Sequence, residues 1–369
     1  MRINKIRNII RPIGLFFARP HILFYTLPWL MFLIVMGTVT QKNLGLYEAT
    51  QKYFGSFILM LGPIPTPGGL TTIGVIFIAL CVKFIFFSVW IRKKAGSHIV
   101  HFGILLLLLG GLITAVTQKE GVMVIAEGQS LAQYDDYYQR ILMIKEGGEV
   151  AKTYPFSTLD SQATISFKDI EIRPLDKCDN CGVKAPTGIY ENLMGLAQNM
   201  EIYSIASDKQ KEANFSGVVL DIKNAKDDAQ SGTYIVMQDV PKNPILNDDI
   251  EIILTKKKTQ LPFGIKLLDF RKIDYPGTTK ARAFESDLLI QDEAVQWPVT
   301  ISMNKPLRYK GYTFFQSSFD ERGDVDVTVL NVVQNKGRLF PYISTLIIFI
   351  GMVVHILVML QSKPMRQEK

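Results

Sequence analysis

The sequence predicts a polytopic α-helical membrane protein, with four transmembrane helices and a large β-rich domain between the third helix and the fourth. Two observations carry this prediction. The 369 residues are 48% hydrophobic, and four almost uncharged runs reach the length of about 20 residues that a helix needs to cross a bilayer. The long segment between the last two runs instead alternates apolar and polar residues with the period of β-strands.

The four predicted transmembrane helices comprise residues 21–39, 70–90, 99–116 and 342–360. Pro28 lies within the first, and membrane helices tolerate a proline. Lys83 is the one charged residue of the second. The remaining segments are a basic N-terminus (1–20), a loop (40–69), a short loop (91–98), the β-rich domain (117–338) and a tail (361–369).

Lysine and arginine residues close to the helix ends predict the orientation of the chain, because they are retained on the cytoplasmic side. They are concentrated in 1–20, in the sequence IRKK of the short loop and in 361–369. The loop 40–69 contains only Lys42 and Lys52. Both termini are therefore predicted to be cytoplasmic, and 40–69 and 117–338 to be extracytoplasmic.

The net charge of +7 follows from this topology. Residues 118–338 contain 32 acidic and 27 basic side chains, so the one large domain is acidic and the excess of basic residues lies in the membrane-flanking segments. A nucleic-acid-binding surface would need a basic domain. We therefore expect no nucleic-acid partner.

The predicted domain consists of many short strands separated by turn residues, which is typical of an antiparallel sandwich or an open barrel. The sequence 190–207 is ambiguous and could hold a helix. The clearest strand candidates are VMVIA at 122–126, ATISFKDIEI at 163–172, GVVLDI at 217–222, TYIVMQDV at 233–240, DIEIILT at 249–255 and DVTVLNVV at 326–333.

The four histidines all lie in or beside the predicted helices, in the cytoplasmic half of the membrane, and the β-rich domain has none. His21 and His98 are at the interface, where an amphipathic ring needs no functional explanation. His101 and His355 lie deeper, where an ionisable side chain favours a functional role. His98 and His101 are three residues apart and share one helix face, whereas Gly103 and Gly110 form a nearly opposite stripe that suits close packing of a neighbouring helix.

Lys83 is predicted at a depth comparable to that of His101. Its side chain could snorkel to the cytoplasmic surface, or its charge could be held by an anionic ligand. Imidazoles and a lysine in a membrane pocket suit haem, an apolar disc with two carboxylates. A proton relay or a quinone site would fit the same spacing, so the residues alone leave these three alternatives open.

Cys178 and Cys181 form the sequence CDNC in the β-rich domain. A c-type haem attachment site requires His next, and Gly182 follows. A local disulfide between the two cysteines is the favoured interpretation for an oxidising compartment. A redox role for the pair is the alternative.

Five stretches, in their order around four spans, give the chain a family resemblance over most of its length. They are GTVTQ (37–41), GPIPTPGGLTT (62–72), the run from KAGSHIVHFGILLLLL onward (94–130), LPFGIKLLDFRKIDYPG (261–277) and MNKPLRYKGYTFFQSSFD (303–320). The sequence resembles the ResB (CcsB) proteins of System II cytochrome c biogenesis, which reside in the bacterial cytoplasmic membrane.

The resemblance implies a non-catalytic subunit of a cytochrome c haem lyase complex. Such a subunit works with a CcsA/ResC-type membrane protein to move haem b outward for attachment to apocytochrome c, with a thioredoxin-like apocytochrome reductant as a further expected partner. The haem-ligand histidine of the family stands in an H-x-G-x-L-L-L context, which His101 matches. His98, His355 and Lys83 are added as haem-binding candidates without a matching motif. The alternatives are a scaffold that binds no haem and a permease with a large external domain.

The sequence MNKPLRYKGYTFFQSS combines basic and aromatic residues and suggests a docking surface that includes Arg308, Lys310 and Tyr312. The competing interpretation is a core strand, in which Tyr312 and Phe314 share one face and Phe315 points to the other. Lys310 and Gly311 would then form a hairpin turn with solvated charges.

Overall fold

The computed structural model describes residues 12, 14–293, 295–320 and 325–361. Its chain divides into two compact units: a helical unit, formed by 1–118 together with 334–369, and a β-rich unit, 119–333. The predicted fold class is confirmed, because the helical unit contains four helices long and apolar enough to cross a membrane and the other unit is built from β-sheets.

The four long helices are α1 (Pro20–Tyr53), α2 (Gly69–Phe86), α3 (Ala95–Thr117) and α4 (Phe340–Gln361). Pro20 starts α1, where its missing N–H leaves no helical hydrogen bond unmade. The helical hydrogen bonding of α1 continues well past the predicted end at residue 39. It is interrupted at Gly45, whose φ of 80° lies in the left-handed region that glycine adopts without a steric penalty.

The rest of the segment predicted as an extended loop folds into a β-hairpin packed on α1. Strands β1 (Ile58–Leu61) and β2 (Ile64–Pro67) pair antiparallel. Leu59 is buried against Leu33 of α1 and Tyr53. Residues 40–69 therefore contain the end of α1 and this hairpin.

Helices α3 and α4 approach each other through glycines. A Cβ atom at Gly96 would lie 2.3 Å from the backbone nitrogen of His355, and one at Gly103 would lie 2.6 Å from the Ile348 side chain. From the other helix, a Cβ at Gly351 would lie 2.7 Å from the backbone nitrogen of Val100. Small residues in membrane helices allow such close backbone contact. The predicted glycine stripe is the packing face of α3.

The β-rich unit contains a five-stranded sheet, a ten-stranded sheet and a two-stranded pair. The five-stranded sheet has the order β6-β7-β11-β12-β9, the large sheet has the path β16-β15-β14-β4-β3-β19-β18-β17 with β5 and β13 alongside, and β10 pairs with β8. The strands of this unit have the following ranges: β3 (Lys119–Ala126), β4 (Ser130–Glu146), β5 (Glu149–Pro155), β6 (Ile165–Phe167), β7 (Ile170–Cys178), β8 (Cys181–Lys184), β9 (Leu193–Met194), β10 (Glu201–Ser204), β11 (Gly217–Asn224), β12 (Gly232–Met237), β13 (Ile245–Leu246), β14 (Ile250–Asp274), β15 (Ala281–Asp292), β16 (Val295–Ser302), β17 (Leu307–Tyr309), β18 (Tyr312–Asp320) and β19 (Val327–Gln334).

Strands β4 and β14 form a long antiparallel ribbon that serves two hydrophobic cores. Near one end, Leu142 and Leu254 belong to a core shared with the five-stranded sheet. Near the other end, Tyr134 and Ile265 belong to a core shared with β15 to β19. The register shifts between Gln260 and Ile265, and such an irregularity bends a strand. One ribbon thus joins two packed sub-structures.

The segment 190–207 holds no α-helix. It forms β9, a single 3₁₀ turn (Gly195–Gln198) and β10. Gly195 has φ of 55°, which is incompatible with a right-handed helix at that position. Buried Leu196 and Ala197 pack with the Cys178–Cys181 region, so tertiary contacts and not helix propensity set the local structure.

We predict that Gly110→Val lowers the stability of the full-length protein by about 1–3 kcal/mol, the usual penalty of overpacking. A Cβ at Gly110 would lie 2.2 Å from the Cβ of Phe340. The matched control is Gly111→Val, one residue further along α3, where a Cβ meets no atom within 4 Å. Both changes alter helix propensity equally, so equal thermal unfolding temperatures in detergent would show that the α3–α4 contact is not close-packed.

Candidate functional site

The turn between α2 and α3 places several side chains of the candidate site. After α2 ends at Phe86, residues 87–91 lead into a 3₁₀ turn (Arg92–Lys94) that continues directly as α3. The backbone N–H of Lys94 donates to the carbonyl of Ile91, which closes this turn. As a result, the residues that precede the turn lie beside the first two turns of α3, where His98 and His101 are found.

His98 is held by the residues before the turn. Its Nδ1 is 3.2 Å from Ser88 Oγ and its Nε2 is 3.0 Å from the carbonyl oxygen of Val89. A carbonyl only accepts, so Nε2 carries the proton and Nδ1 accepts from the serine hydroxyl in the neutral ring. The ring also stacks on Trp90, with centroids 4.4 Å apart. Both nitrogens of His98 are therefore in use, and the geometry indicates a structural residue.

His101 presents the opposite arrangement on the next turn of α3. Its Nδ1 is 2.7 Å from the carbonyl oxygen of Ser97, so Nδ1 carries the proton and donates to that carbonyl. The lone pair of the neutral ring is then on Nε2. Among the residues that the structure describes, none hydrogen-bonds to Nε2, and the side chain is exposed. A metal-binding imidazole takes this tautomer, fixed by a hydrogen bond on the other nitrogen.

His355 is brought to the same end of α3 by the glycine packing. Its backbone lies against Gly96, in the first turn of the helix that carries His98 and His101. The preceding turn of α4 places Gly351 against Val100. His101 follows Val100 by one residue, about 100° around the helix, so it flanks the α3–α4 contact. The His355 side chain is exposed.

Lys83 lies in the last turn of α2, and its side chain is exposed. The next residue, Phe84, contacts the rings of both Trp90 and His98. The end of α2 therefore packs against the residues that hold His98, which brings Lys83 to the histidine-containing end of the helical unit. Within the part of the chain that the structure describes, the ammonium group of Lys83 forms no ion pair.

The sequence alone did not single out Ser97 and Trp90. The signal for Ser97 is the spacing of four residues to His101, which places its carbonyl beneath the ring in any helix. Trp90 carried no such signal, because its contact with His98 depends on the path of the turn.

Cys178 and Cys181 are far in sequence from these histidines and belong to the β-rich unit. The structure joins them by a disulfide bond, with Cα atoms 5.4 Å apart. Both cysteines are buried beside Val219, Ile235 and Met237. This environment is that of a structural cross-link.

The docking candidates Arg308, Lys310 and Tyr312 lie in the hairpin of β17 and β18. Lys310 and Gly311 have φ of 43° and 83° and form its turn. Tyr312 is buried with Phe314 in the core, which corrects the expectation that it belongs to a docking surface. Arg308 is exposed.

Lys310 is not a free surface charge. Its ammonium group is 2.7 Å from Asp292, to which the Tyr309 hydroxyl also donates a hydrogen bond. These contacts, first that of Lys310 and then that of Tyr309, lower the pKa of the Asp292 carboxyl group. A reversal of charge at Lys310 would therefore disturb the folded hairpin, and Arg308 is the remaining docking candidate.

We predict that His98→Ala lowers the stability of the ligand-free protein by about 1–3 kcal/mol, because it removes two hydrogen bonds and an aromatic stack. His101→Ala, on the same helix, is the matched control and should change stability by about 0.5 kcal/mol or less, since its ring is exposed. Thermal unfolding in detergent measures both. If both variants unfold at the same temperature as the wild type, His98 does not stabilise the turn.

Residues 232–346 match the model of the ResB-like family. The protein NrfI of Wolinella succinogenes is 23% identical over 280 residues, an alignment that covers 72% of this chain and 28% of NrfI. The chain thus spans a little over a quarter of the length of that relative. The match to the family model covers the β-rich unit from β12 onward and the start of α4, and the alignment with NrfI extends over most of the chain. These findings confirm the resemblance to the ResB-like family that the sequence motifs predicted.

Proposed function

We propose that this protein is a membrane subunit of a cytochrome c biogenesis system of the System II type, and that it binds haem b and exports it. The family assignment supports a role in cytochrome c biogenesis. The observation that carries the haem proposal is the state of His101, whose ring is oriented by Ser97 and leaves Nε2 open.

The residues present fit haem as a ligand. When bound, haem supplies an iron atom that accepts an imidazole nitrogen as an axial ligand. His101 would provide that nitrogen. The carbonyl of Ser97 orients the ring and, by accepting the Nδ1 proton, increases the basicity of Nε2. His98 fits poorly as a ligand, because both of its nitrogens are engaged.

Lys83 would pair with a propionate group of haem. A charged ammonium group in a membrane requires a counter-charge or contact with water. The side chain is free to reach either, since no described residue forms an ion pair with it. Pairing with a propionate would fix the orientation of the haem relative to His101.

The second axial ligand is proposed to come from a partner protein, with His355 as the alternative within this chain. His355 lies on the helix that packs against the His98–His101 segment, and its side chain is exposed. Its ring could therefore turn toward a ligand shared with His101.

The proposed partners are a CcsA/ResC-type haem-handling membrane protein, apocytochrome c and a thioredoxin-like apocytochrome reductant. The chain contains only three tryptophans, Trp29, Trp90 and Trp297, so a Trp-rich haem-binding segment would have to come from the partner. Arg308 is the exposed residue proposed to contact the partner or the apocytochrome. The proposed location is the bacterial cytoplasmic membrane, with both termini cytoplasmic and the β-rich unit extracytoplasmic.

A scaffold that binds no haem is the main competing function. It is favoured by one observation, that Lys310, a docking candidate, is instead paired with Asp292 within the fold. A permease is disfavoured, because a coupling segment for an ATPase would need more than the single 3₁₀ turn between α2 and α3.

We expect haem to co-purify with the wild-type subunit and its partner, and His101→Gly to remove most of the Soret absorbance. Added imidazole should restore the band in that variant, because free imidazole can occupy the position of the lost ring. His21→Ala is the control and should retain the band. Unchanged haem content in His101→Gly would contradict the ligand assignment and favour the scaffold.

His355→Ala tests the identity of the second ligand. A change from a low-spin to a high-spin spectrum assigns it to His355, and an unchanged spectrum assigns it to the partner.

We further predict that Lys83→Met reduces haem occupancy several-fold while Lys83→Arg largely retains it, because only a cation pairs with a propionate. The Soret absorbance per protein measures occupancy in both. Since Lys83 is exposed, neither change should alter the free energy of unfolding of the ligand-free protein by more than about 0.5 kcal/mol. Full occupancy in Lys83→Met would mean that the side chain merely snorkels to water.

A further inference from the structure

Residues 53–67, called here the hairpin segment, double back along the middle of α1. Leu59 and Tyr53 are buried against Leu33. A Cβ at Gly37 would lie 2.9 Å from the ring of Phe54. The hairpin segment therefore lies beside a continuous length of α1 and does not extend away from it.

The length of α1 that it contacts is inside the apolar span. No charged residue occurs between Arg19 and Lys42, so this stretch fixes where the bilayer surrounds α1. Leu33 and Gly37 follow Pro20 by 13 and 17 residues, which at 1.5 Å per residue places them about 20 and 26 Å along the helix. The hydrocarbon core is about 30 Å thick, so the contacts with the hairpin segment lie within it.

The outward side chains of the hairpin segment are apolar. Phe57 is 70% exposed, Ile58 65%, Met60 55% and Ile64 62%. No charged residue occurs between Lys52 and Lys83. A water-exposed loop of this composition would be an unusual apolar patch, whereas the same side chains suit contact with lipid acyl chains.

Two carbonyls of the hairpin segment accept hydrogen bonds from threonine side chains. The Phe57 carbonyl accepts from the Gly68 N–H and from the Thr71 hydroxyl, each within 2.9 Å. The Leu59 carbonyl accepts from the Thr66 hydroxyl at 2.7 Å. Backbone at membrane depth has to be satisfied within the protein, because lipid offers no hydrogen bonds.

Two further features cover the edge of β2. The indole N–H of Trp29 donates to the Pro67 carbonyl at 2.9 Å. Pro65 and Pro67, paired with Met60 and Ile58, have no N–H groups, so the ladder donors of β2 come from Ile64 and Thr66 and its outer edge exposes no donor. An open strand edge is excluded from lipid chiefly by its unpaired backbone groups. On the outer edge of β2, the two prolines remove both donors and the Pro67 carbonyl is bonded, so the Pro65 carbonyl is the one group of these two residues without such a bond.

We propose that residues 53–67 re-enter the membrane beside α1 and that lipid acyl chains contact the face formed by Phe57, Ile58, Met60 and Ile64. The water-exposed part of the connection between α1 and α2 is then confined to about residues 40–52, around Lys42 and Lys52.

The test is site-directed spin labelling of the full-length protein in liposomes of phosphatidylethanolamine and phosphatidylglycerol. Ile58→Cys, Met60→Cys and Ile64→Cys are made in a Cys81→Ala background, since Cys178 and Cys181 are joined to each other. Val35→Cys on α1 is the lipid-facing control, and Lys42→Cys is the aqueous control. Collision rates with oxygen, which concentrates in hydrocarbon, and with a water-soluble nickel chelate report the surroundings of each label.

We expect the three hairpin labels to match Val35→Cys, with frequent oxygen collisions and few nickel collisions. Nickel accessibility equal to that of Lys42→Cys at these positions would overturn the proposal and return the hairpin segment to water. Low collision rates with both reagents would also overturn it, because they would show that protein and not lipid covers the face. The labelled side chains are more than half exposed, so the labels can be accommodated without repacking.

Discussion

The close approach of α3 and α4 through glycines is the contact on which the rest of the helical unit depends. Gly96, Gly103 and Gly110 recur every seven residues and remove the side chains that would separate the two backbones. The contact extends to the residues that precede α4, where the Thr114 hydroxyl donates to the Asn335 side chain at 3.1 Å. Since α3 leads into the β-rich unit and α4 follows it, this packing brings together the two points at which the chain leaves and re-enters the helical unit.

The same packing divides the histidines into different chemical roles. Helix α4 covers the glycine face, so the opposite and flanking faces of α3 remain for other contacts. The Ser88 hydroxyl and the Val89 carbonyl hydrogen-bond to His98. His101, one turn further along α3, bonds among the described residues only to Ser97 of its own helix, through the carbonyl and the hydroxyl. One ring is thereby used for structure and the other is left with an open nitrogen. This difference follows from where the neighbouring backbone runs, since both residues are histidines on one helix face.

The β-rich unit is self-contained in its polar interactions. Within the described part of the chain, no carboxylate forms an ion pair with the buried guanidinium group of Arg140. Its Nη atoms donate to the carbonyls of Tyr137 and Asn214 and its Nε donates to the Gln238 side chain, while burial lowers its pKa. Arg271 bridges Asp269 and Asp287 across neighbouring strands. A buried guanidinium group that is hydrogen-bonded in this way, and charges that form such a network, maintain the fold and leave few groups for chemistry. The candidate chemistry of the protein accordingly lies in the helical unit.

The sequence by itself determined the fold class, because membrane helices and strands differ in length and period and both signals were strong here. It also identified the glycine stripe of α3 and parts of strands β3, β6, β7, β11, β12, β14 and β19. The hydropathy pattern identifies residues 40–69 only as a segment between two apolar runs. It contains no sign that the chain doubles back along α1. Only the tertiary structure decided that contact, the burial of Tyr312, the pairing of Lys310 with Asp292, and which histidine keeps a free nitrogen. Each of these depends on a neighbour distant in sequence or on the path of a turn, and periodicity along one strand or helix carries no information about either.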